Sequence, residues 1–199
     1  MSIHEEVVYI TTAQHLRLGC SRRKRYHKGE KMGTKEHKKG VLKVLKIAII
    51  SVSSSRTIAE DDSGLWIKKM SEKEGHSVVF HRVVPDDKRS ITSALFDAIN
   101  LSDAQAVLLT GGTGISSKDV TIEAISPLFQ KELTAFGPVF AQLSLEKIDS
   151  AAIMSRATAG IVNRTAVFCI PGSLSACKLA CKALIFPELG HIVKHIYYG

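Results

Sequence analysis

The chain has 199 residues, 45% of them hydrophobic, and a formal net charge of +8. That length suits one domain with a conventional buried core, and the lack of an apolar run of 18 or more residues excludes a transmembrane helix. The charge is unevenly placed: residues 1–46 hold 12 Lys/Arg against 4 Asp/Glu, and the remainder is neutral with 15 of each. Basicity gathered at one end describes an appendage rather than a nucleic-acid-binding fold, so neither nucleic acid nor a membrane is an expected partner. No apolar signal core is present at the N-terminus, and the expected location is the cytoplasm.

Residues 1–40 show no sustained periodicity and carry a basic knot from Arg22 to Arg25. Such a segment buries too little apolar area to offset its ordering entropy, so it is expected to be a disordered arm, with Met32 as an alternative start. One α/β domain is expected over residues 41–199. Lys46 to Val52 is a short, β-branched apolar run that suits a buried parallel strand. Asp62 and Ser63 can cap a helix carrying Leu65, Trp66 and Met70, which Gly75 ends. Ser77 to Val84 predicts a second strand, stopped by Pro85, and Lys88 to Asn100 a second helix through Ile91, Leu95, Phe96 and Ile99. Ala106 to Thr110 is a third strand, entering a glycine-rich loop. Thr121 to Phe129 and Val139 to Glu146 read as helices. Ile161 and Val162, the turn Asn163-Arg164 and Thr165 to Ile170 suggest a hairpin. Helices over Ser175 to Ile185 and about Leu189 to His195 close the chain. Strand–helix alternation with a glycine-rich loop predicts an α/β fold with a mostly parallel sheet.

Cysteine use adds little chemistry. Cys20, Cys169, Cys177 and Cys181 contain no Cys-x-x-Cys pair, so a zinc site lacks its spacing and core thiols are expected. His191 and His195 are four apart, but Ile192 stands where a metalloprotease helix needs Glu, so they read as a helix-surface pair.

In open parallel sheets, ligands bind beyond the carboxyl ends of the strands. Four segments occupy that position: those following Val84, Leu109 and Ile170, and Ser53 to Asp62 after the first strand. Thr110-Gly111-Gly112-Thr113-Gly114 brings backbone amides close to an anion with no Cβ in the way, but it is neither a P-loop nor a dinucleotide fingerprint. Asp119 follows closely, and Thr121 is placed to cap the next helix. A carboxylate beside a phosphate cradle repels phosphate unless a cation intervenes, which points to Mg²⁺. Asp86 and Asp87 either supply a second carboxylate or form a turn and helix cap after Pro85. Pro171-Gly172-Ser173 opens a helix, where Ser173 suits a ligand contact or the cap equally.

The ordered set Leu109 to Ile115, Lys118 to Thr121, Glu123-Ala124, Val84 to Asp87, Ser155 to Ala157, Phe168 to Ser173, Ala176-Cys177 and Pro187 to His191 resembles the MoaB/MogA family of molybdenum cofactor biosynthesis proteins, with MoaB the nearer branch. The resemblance runs from about Lys46 to the C-terminus. It implies a three-layer α/β/α sandwich, homo-oligomers (trimers or hexamers), and an activity in which ATP with Mg²⁺ adenylylates molybdopterin and releases pyrophosphate. It implies that Asp86 and Asp119 are catalytic and hold Mg²⁺. Thr110, Gly111, Gly112, Thr113, Gly114, Pro171, Gly172 and Ser173 would contact substrate, and Ser53 and Asp61 the nucleotide. A non-catalytic molybdopterin carrier of the same fold is the alternative, and molybdenum and tungsten stay equally open. Three departures stand out: Lys118 to Ile122 replaces the usual Arg-Asp-Val-Thr-Pro, Ala135 to Pro138 the usual Gly-Phe-Gly-Glu, and Ser54 an aspartate common after the first strand.

Overall fold

Strands β1 (Lys46–Val52), β2 (Ser77–Val84), β3 (Ala106–Thr110), β4 (Lys131–Glu132), β5 (Thr158–Val162) and β6 (Thr165–Ile170) form one sheet in the order β2-β1-β3-β6-β5-β4. The computed structural model describes residues 44–199, and the expected basic arm lies outside the described residues. β1 pairs parallel with β2 and β3, and β3 with β6, while β5 runs antiparallel to β6 and β4 antiparallel to β5. β3 and β6 are buried along their whole length, which is why their sequences are continuous apolar runs rather than alternations.

Helices cover both faces. Ile47, Ile49, Leu108 and Phe168 point to one side, against Ile67 of α1 (Asp62–Lys73), Phe140 of α4 (Phe136–Ile148), Cys177 of α5 (Leu174–Ala180), and Leu189 and Val193 of α6 (Phe186–Tyr198). Ala48, Ile50, Val107, Leu109 and Val167 point to the other, against Ile91 and Leu95 of α2 (Lys88–Asn100) and Ile125 of α3 (Thr121–Ile125). The period-2 alternation of strand side chains thus feeds two cores from one set of strands, giving the expected three-layer sandwich. Among the described residues no helix is long and apolar enough to cross a membrane.

Several boundaries differ from expectation. Asp61, not Asp62 or Ser63, caps α1, its carboxylate accepting from the Gly64 amide at 2.9 Å. The helix expected to Phe129 is α3 followed by a 3₁₀ turn over Ser126–Leu128, because Pro127 removes a helical donor. α4 starts three residues earlier than its apolar stripe, since Pro138 falls in the first turn, where its missing N–H has no helical acceptor to lose. α5 passes through a π turn (Cys181–Ile185) into α6, which is longer at both ends than its sequence stripe. β4, two residues long, has no period to reveal it. The hairpin is as expected: Asn163 (φ 45°) and Arg164 (φ 62°) take the left-handed conformations that a tight two-residue turn requires. Cys169, Cys177 and Cys181 are free and buried, and burial pushes all three thiols upward, in keeping with core thiols. Cys20 lies outside the described residues.

Candidate functional site

The parallel register brings four loops to one edge. Val52 is level with Val84, Ser51 with Thr110, and Thr110 with Ile170, so the segments after β1, β2, β3 and β6 leave the sheet together. They enclose a cleft of about 660 Å³, to which Met154 to Arg156 contribute from the turn after α4. Ser53, Asp86, Gly111 to Gly114, Asp119 and Pro171 to Ser173 all line it. The acids and the glycine loop, up to 33 positions apart in sequence, therefore converge as expected.

The glycine loop is held by close backbone approach. Gly111 has φ +99°, and a Cβ there would stand 2.3 Å from the Val52 carbonyl oxygen. A Cβ on Gly172 would meet the Gly111 Cα at 3.0 Å, so the loops after β3 and β6 touch through their two glycines. Thr121 does not cap α3 as expected. Its hydroxyl donates to Gly111 O at 2.8 Å and its amide to Gly112 O at 2.9 Å, tying the loop to the first turn of the helix. Thr110 is 2% exposed, and its hydroxyl donates to Pro171 O at 3.2 Å; it braces the two loops from beneath the cleft.

The two adjacent acids after β2 divide their work. Asp87 caps α2, accepting from the Ser90 amide at 2.9 Å, and bonds to Ser90 hold its carboxyl below the ordinary value. Asp86 borders the cleft. Its Oδ2 accepts from the Ser54 amide at 2.7 Å and the Ser54 hydroxyl at 2.6 Å, and its own amide donates to Ser54 Oγ at 3.1 Å. Ser54, noted in the sequence only as a departure, is the residue that orients Asp86. Asp119 is fixed similarly, with Oδ2 accepting from the Ser116 amide at 2.8 Å and its amide donating to Ser116 O at 2.9 Å.

Each acid thus keeps one oxygen on a loop donor, and its Oδ1 accepts no hydrogen bond among the described residues. Oxygen donors alone, and few of them, suit Mg²⁺, which takes one or two carboxylates and completes its shell with water and phosphate oxygens. Among the described residues no group of three or more His, Cys, Asp or Glu could hold a metal by side chains alone.

Three cations also line the cleft: Arg56, Lys118 and Arg156. The Arg156 guanidinium donates to Gly114 O at 3.2 Å and to a Glu123 carboxylate oxygen, and that second bond holds Glu123 below the ordinary carboxylate range. Sequence reasoning missed Arg56, because a lone arginine after a serine run has no local signature. Ser53 and Ser173 border the cleft, and Ser173 also caps α5 through the Ala176 amide at 3.3 Å.

Asp61 sits lower. It is 2% exposed, and Oδ2 accepts from the Ser51 hydroxyl at 2.5 Å and lies 2.9 Å from His81 Nε2, while Oδ1 takes the Gly64 amide. Burial pushes its carboxyl upward, but the bonds from His81, Ser51 and Gly64 outweigh this and hold it below the ordinary value. Its neighbour Ser63, expected as a cap, donates instead to Gly172 O at 2.9 Å. Asp61 and Ser63 therefore anchor α1 to the cleft floor.

A family model described as a probable molybdopterin binding domain matches residues 48–191. The chain is 46% identical over 166 residues to molybdenum cofactor biosynthesis protein B of Bacillus subtilis (strain 168), covering 83% of this chain and 98% of the relative. It is 44% identical over 171 residues to molybdopterin adenylyltransferase of Pyrococcus furiosus, covering 82% and 98%. A crystal structure of molybdenum cofactor biosynthesis protein B superposes with a TM-score of 0.77 at 42% identity, over 79% of this chain and 98% of that one.

Proposed function

This chain belongs to the MoaB/MogA family of molybdopterin-binding domains and serves molybdenum cofactor biosynthesis, and we propose that it is a molybdopterin adenylyltransferase, using ATP with Mg²⁺. The observation that carries this reading is the convergence of Asp86, Asp119, the glycine loop and three cations on one cleft. Two carboxylates alone would repel a phosphate ester, and three cations alone would bind any anion. Together they fit a polyphosphate that arrives with a divalent ion.

In the proposed reaction, an oxygen of the molybdopterin phosphate attacks the α-phosphorus of ATP. The bond from that phosphorus to the bridging oxygen breaks, and pyrophosphate leaves with the bonding pair. No covalent nucleophile from the protein is required, so alignment and charge compensation supply the acceleration. Arg56, Lys118 and Arg156 offset the charge gathering on the phosphates. The backbone from Gly111 to Gly114 admits an anion where a side chain would exclude it. Asp86 and Asp119 would hold Mg²⁺, with Ser54 and Ser116 fixing the direction of their free oxygens. When bound, Mg²⁺ supplies charge neutralisation on the nucleotide.

The test is incubation of the full chain with molybdopterin, Mg²⁺ and radiolabelled ATP. The parent should yield adenylylated pterin, and Asp119→Ala should fold with an unchanged circular dichroism spectrum while losing that product. Equal product from both proteins would refute the assignment. Tight pterin binding with no product from the parent would instead favour the carrier reading.

A further inference from the structure

Far from the cleft, a second arrangement of donors has no part in this chemistry. His191 and His195 lie one turn apart on α6, and their Nε2 atoms approach to 2.8 Å with the rings edge to face. Glu188, three residues before His191 on the same helix, places Oε2 3.5 Å from the other ring nitrogen, His191 Nδ1. The pair opens on a groove of about 570 Å³ between α6 and the β4 edge of the sheet. That groove is bordered by Arg164 at the amino end of β6, whereas the cleft lies beyond its carboxyl end, and the two share no lining residue.

We propose that His191 and His195 form a chelating site for a late first-row divalent transition ion, Cu²⁺ or Ni²⁺ before Zn²⁺. Imidazole nitrogen is a preferred ligand of these ions, and an i, i+4 pair presents two of them from one rigid turn. The spacing discriminates among them. Two metal–nitrogen bonds of about 2.0–2.1 Å span about 2.9 Å at a right angle and about 3.3 Å at the tetrahedral angle. The observed 2.8 Å is a hydrogen bond between the rings, so any ion enters only as both rings turn their lone pairs toward it; the nitrogens then separate least for the right-angled bite of tetragonal Cu²⁺ or Ni²⁺ and by about half an ångström for tetrahedral Zn²⁺.

Glu188 supplies the support that such sites use. A carboxylate facing Nδ1 selects the tautomer with the proton on that nitrogen and leaves Nε2 with its lone pair toward the ion. In the empty pair the two Nε2 atoms share one hydrogen bond, and the tautomer that Glu188 selects for His191 makes His195 its donor. When an ion enters, the His195 proton moves to its other ring nitrogen and both Nε2 lone pairs become ligands, with water completing the shell. The charged groups bordering the groove are Lys131, Glu132 and Arg164. The Arg164 guanidinium is held over the Tyr197 ring at 4.7 Å, and the Glu132 carboxylate accepts from the Thr158 hydroxyl at 3.3 Å.

The experiment uses the full chain, stripped with a chelator and titrated separately with Cu²⁺, Ni²⁺ and Zn²⁺ by calorimetry near neutral pH. The parent should bind one equivalent that His191→Ala and His195→Gln each weaken by at least about tenfold and the double variant loses. The histidines of residues 1–40 contribute equally to all four isotherms, so the difference between parent and double variant isolates this site. Unaltered melting temperatures of the metal-free variants would show that the fold is intact. An isotherm unchanged in the double variant would overturn the assignment, as would a preference for Zn²⁺ over both other ions. Neither result bears on adenylylation.

Discussion

At the residue scale, the cleft depends on side chains that hold its acids and its floor in place. Ser54 gives Asp86 two of its hydrogen bonds. Ser54→Ala keeps the amide bond and removes the hydroxyl, so Asp86 should lose its direction and not its charge. The expected outcome is a KM for Mg-ATP raised by about tenfold, since a charge-assisted bond contributes roughly 1.5 kcal/mol, with the unfolding midpoint unchanged in urea. Asp61 behaves oppositely. Asp61→Asn leaves the donors of Ser51, His81 and Gly64 without a full set of acceptors, which should cost about 2–4 kcal/mol of stability. The sign of its pH effect follows from its depressed folded value: the stability it contributes is complete above the unfolded pKa near about 4 and is lost as pH falls through the folded value. Acid titration of the parent should show this falling limb, and in Asp61→Asn the limb should be shallower. An identical acid limb in both proteins would remove Asp61 from this role.

At the scale of elements, the informative contact lies between the loops after β3 and β6. Gly111 combines a left-handed backbone with a Val52 carbonyl 2.3 Å from where a Cβ would stand. Gly111→Ala should therefore cost at least about 2 kcal/mol and also displace Gly172, against which Gly111 packs. Circular dichroism melts combined with the adenylylation assay would separate the two effects, because a stabilising osmolyte should restore the fold and leave the activity low. The glycine requirement was legible in the sequence, but its partner was not. Likewise Thr121 read as a cap from its position before an apolar stripe, whereas the structure spends its hydroxyl on Gly111 O. Helix-capping preference is a local average, and here the helix begins one residue early, with Val120 at the cap position, so that Thr121 falls inside the first turn and its hydroxyl is left to donate to a loop carbonyl.

At the scale of the whole molecule, ligand binding and folding are linked. If Asp86 and Asp119 hold Mg²⁺ with ATP, nucleotide and ion together at a hundredfold excess over Kd should stabilise the parent by about 2.7 kcal/mol. Asp86→Ala should lose most of that gain, which thermal melts with Mg²⁺, ATP and both together would measure. The family resemblance also implies trimers or hexamers. Leu145, Ile148, Ile153 and Met154 are all at least half exposed, Ile153 at 90%, and form an apolar run on α4 and its following turn that a second copy would cover. Sedimentation should find more than one copy per particle, and Ile153→Glu with Met154→Glu should shift it toward the monomer.

The first three strands, the hairpin and the glycine loop were written in the sequence itself, because each rests on neighbours within a few positions: periodicity, β-branching, turn chemistry and steric permission at glycine; the three layers came with the family resemblance, and the order of strands in the sheet only with the structure. The family resemblance named Asp86 and Asp119, but what turns these acids to one cleft is visible only in the tertiary structure. Asp86 and Asp87 are chemically identical neighbours, and only the Ser54 donors arriving from β1, 32 positions away, turn one to the cleft while the Ser90 amide draws the other to the helix. Arg56 and Arg156 reach the same space for the same reason. A hydrogen bond or a shared charge depends on distance in space, and a parallel sheet makes neighbours of residues that the chain keeps far apart.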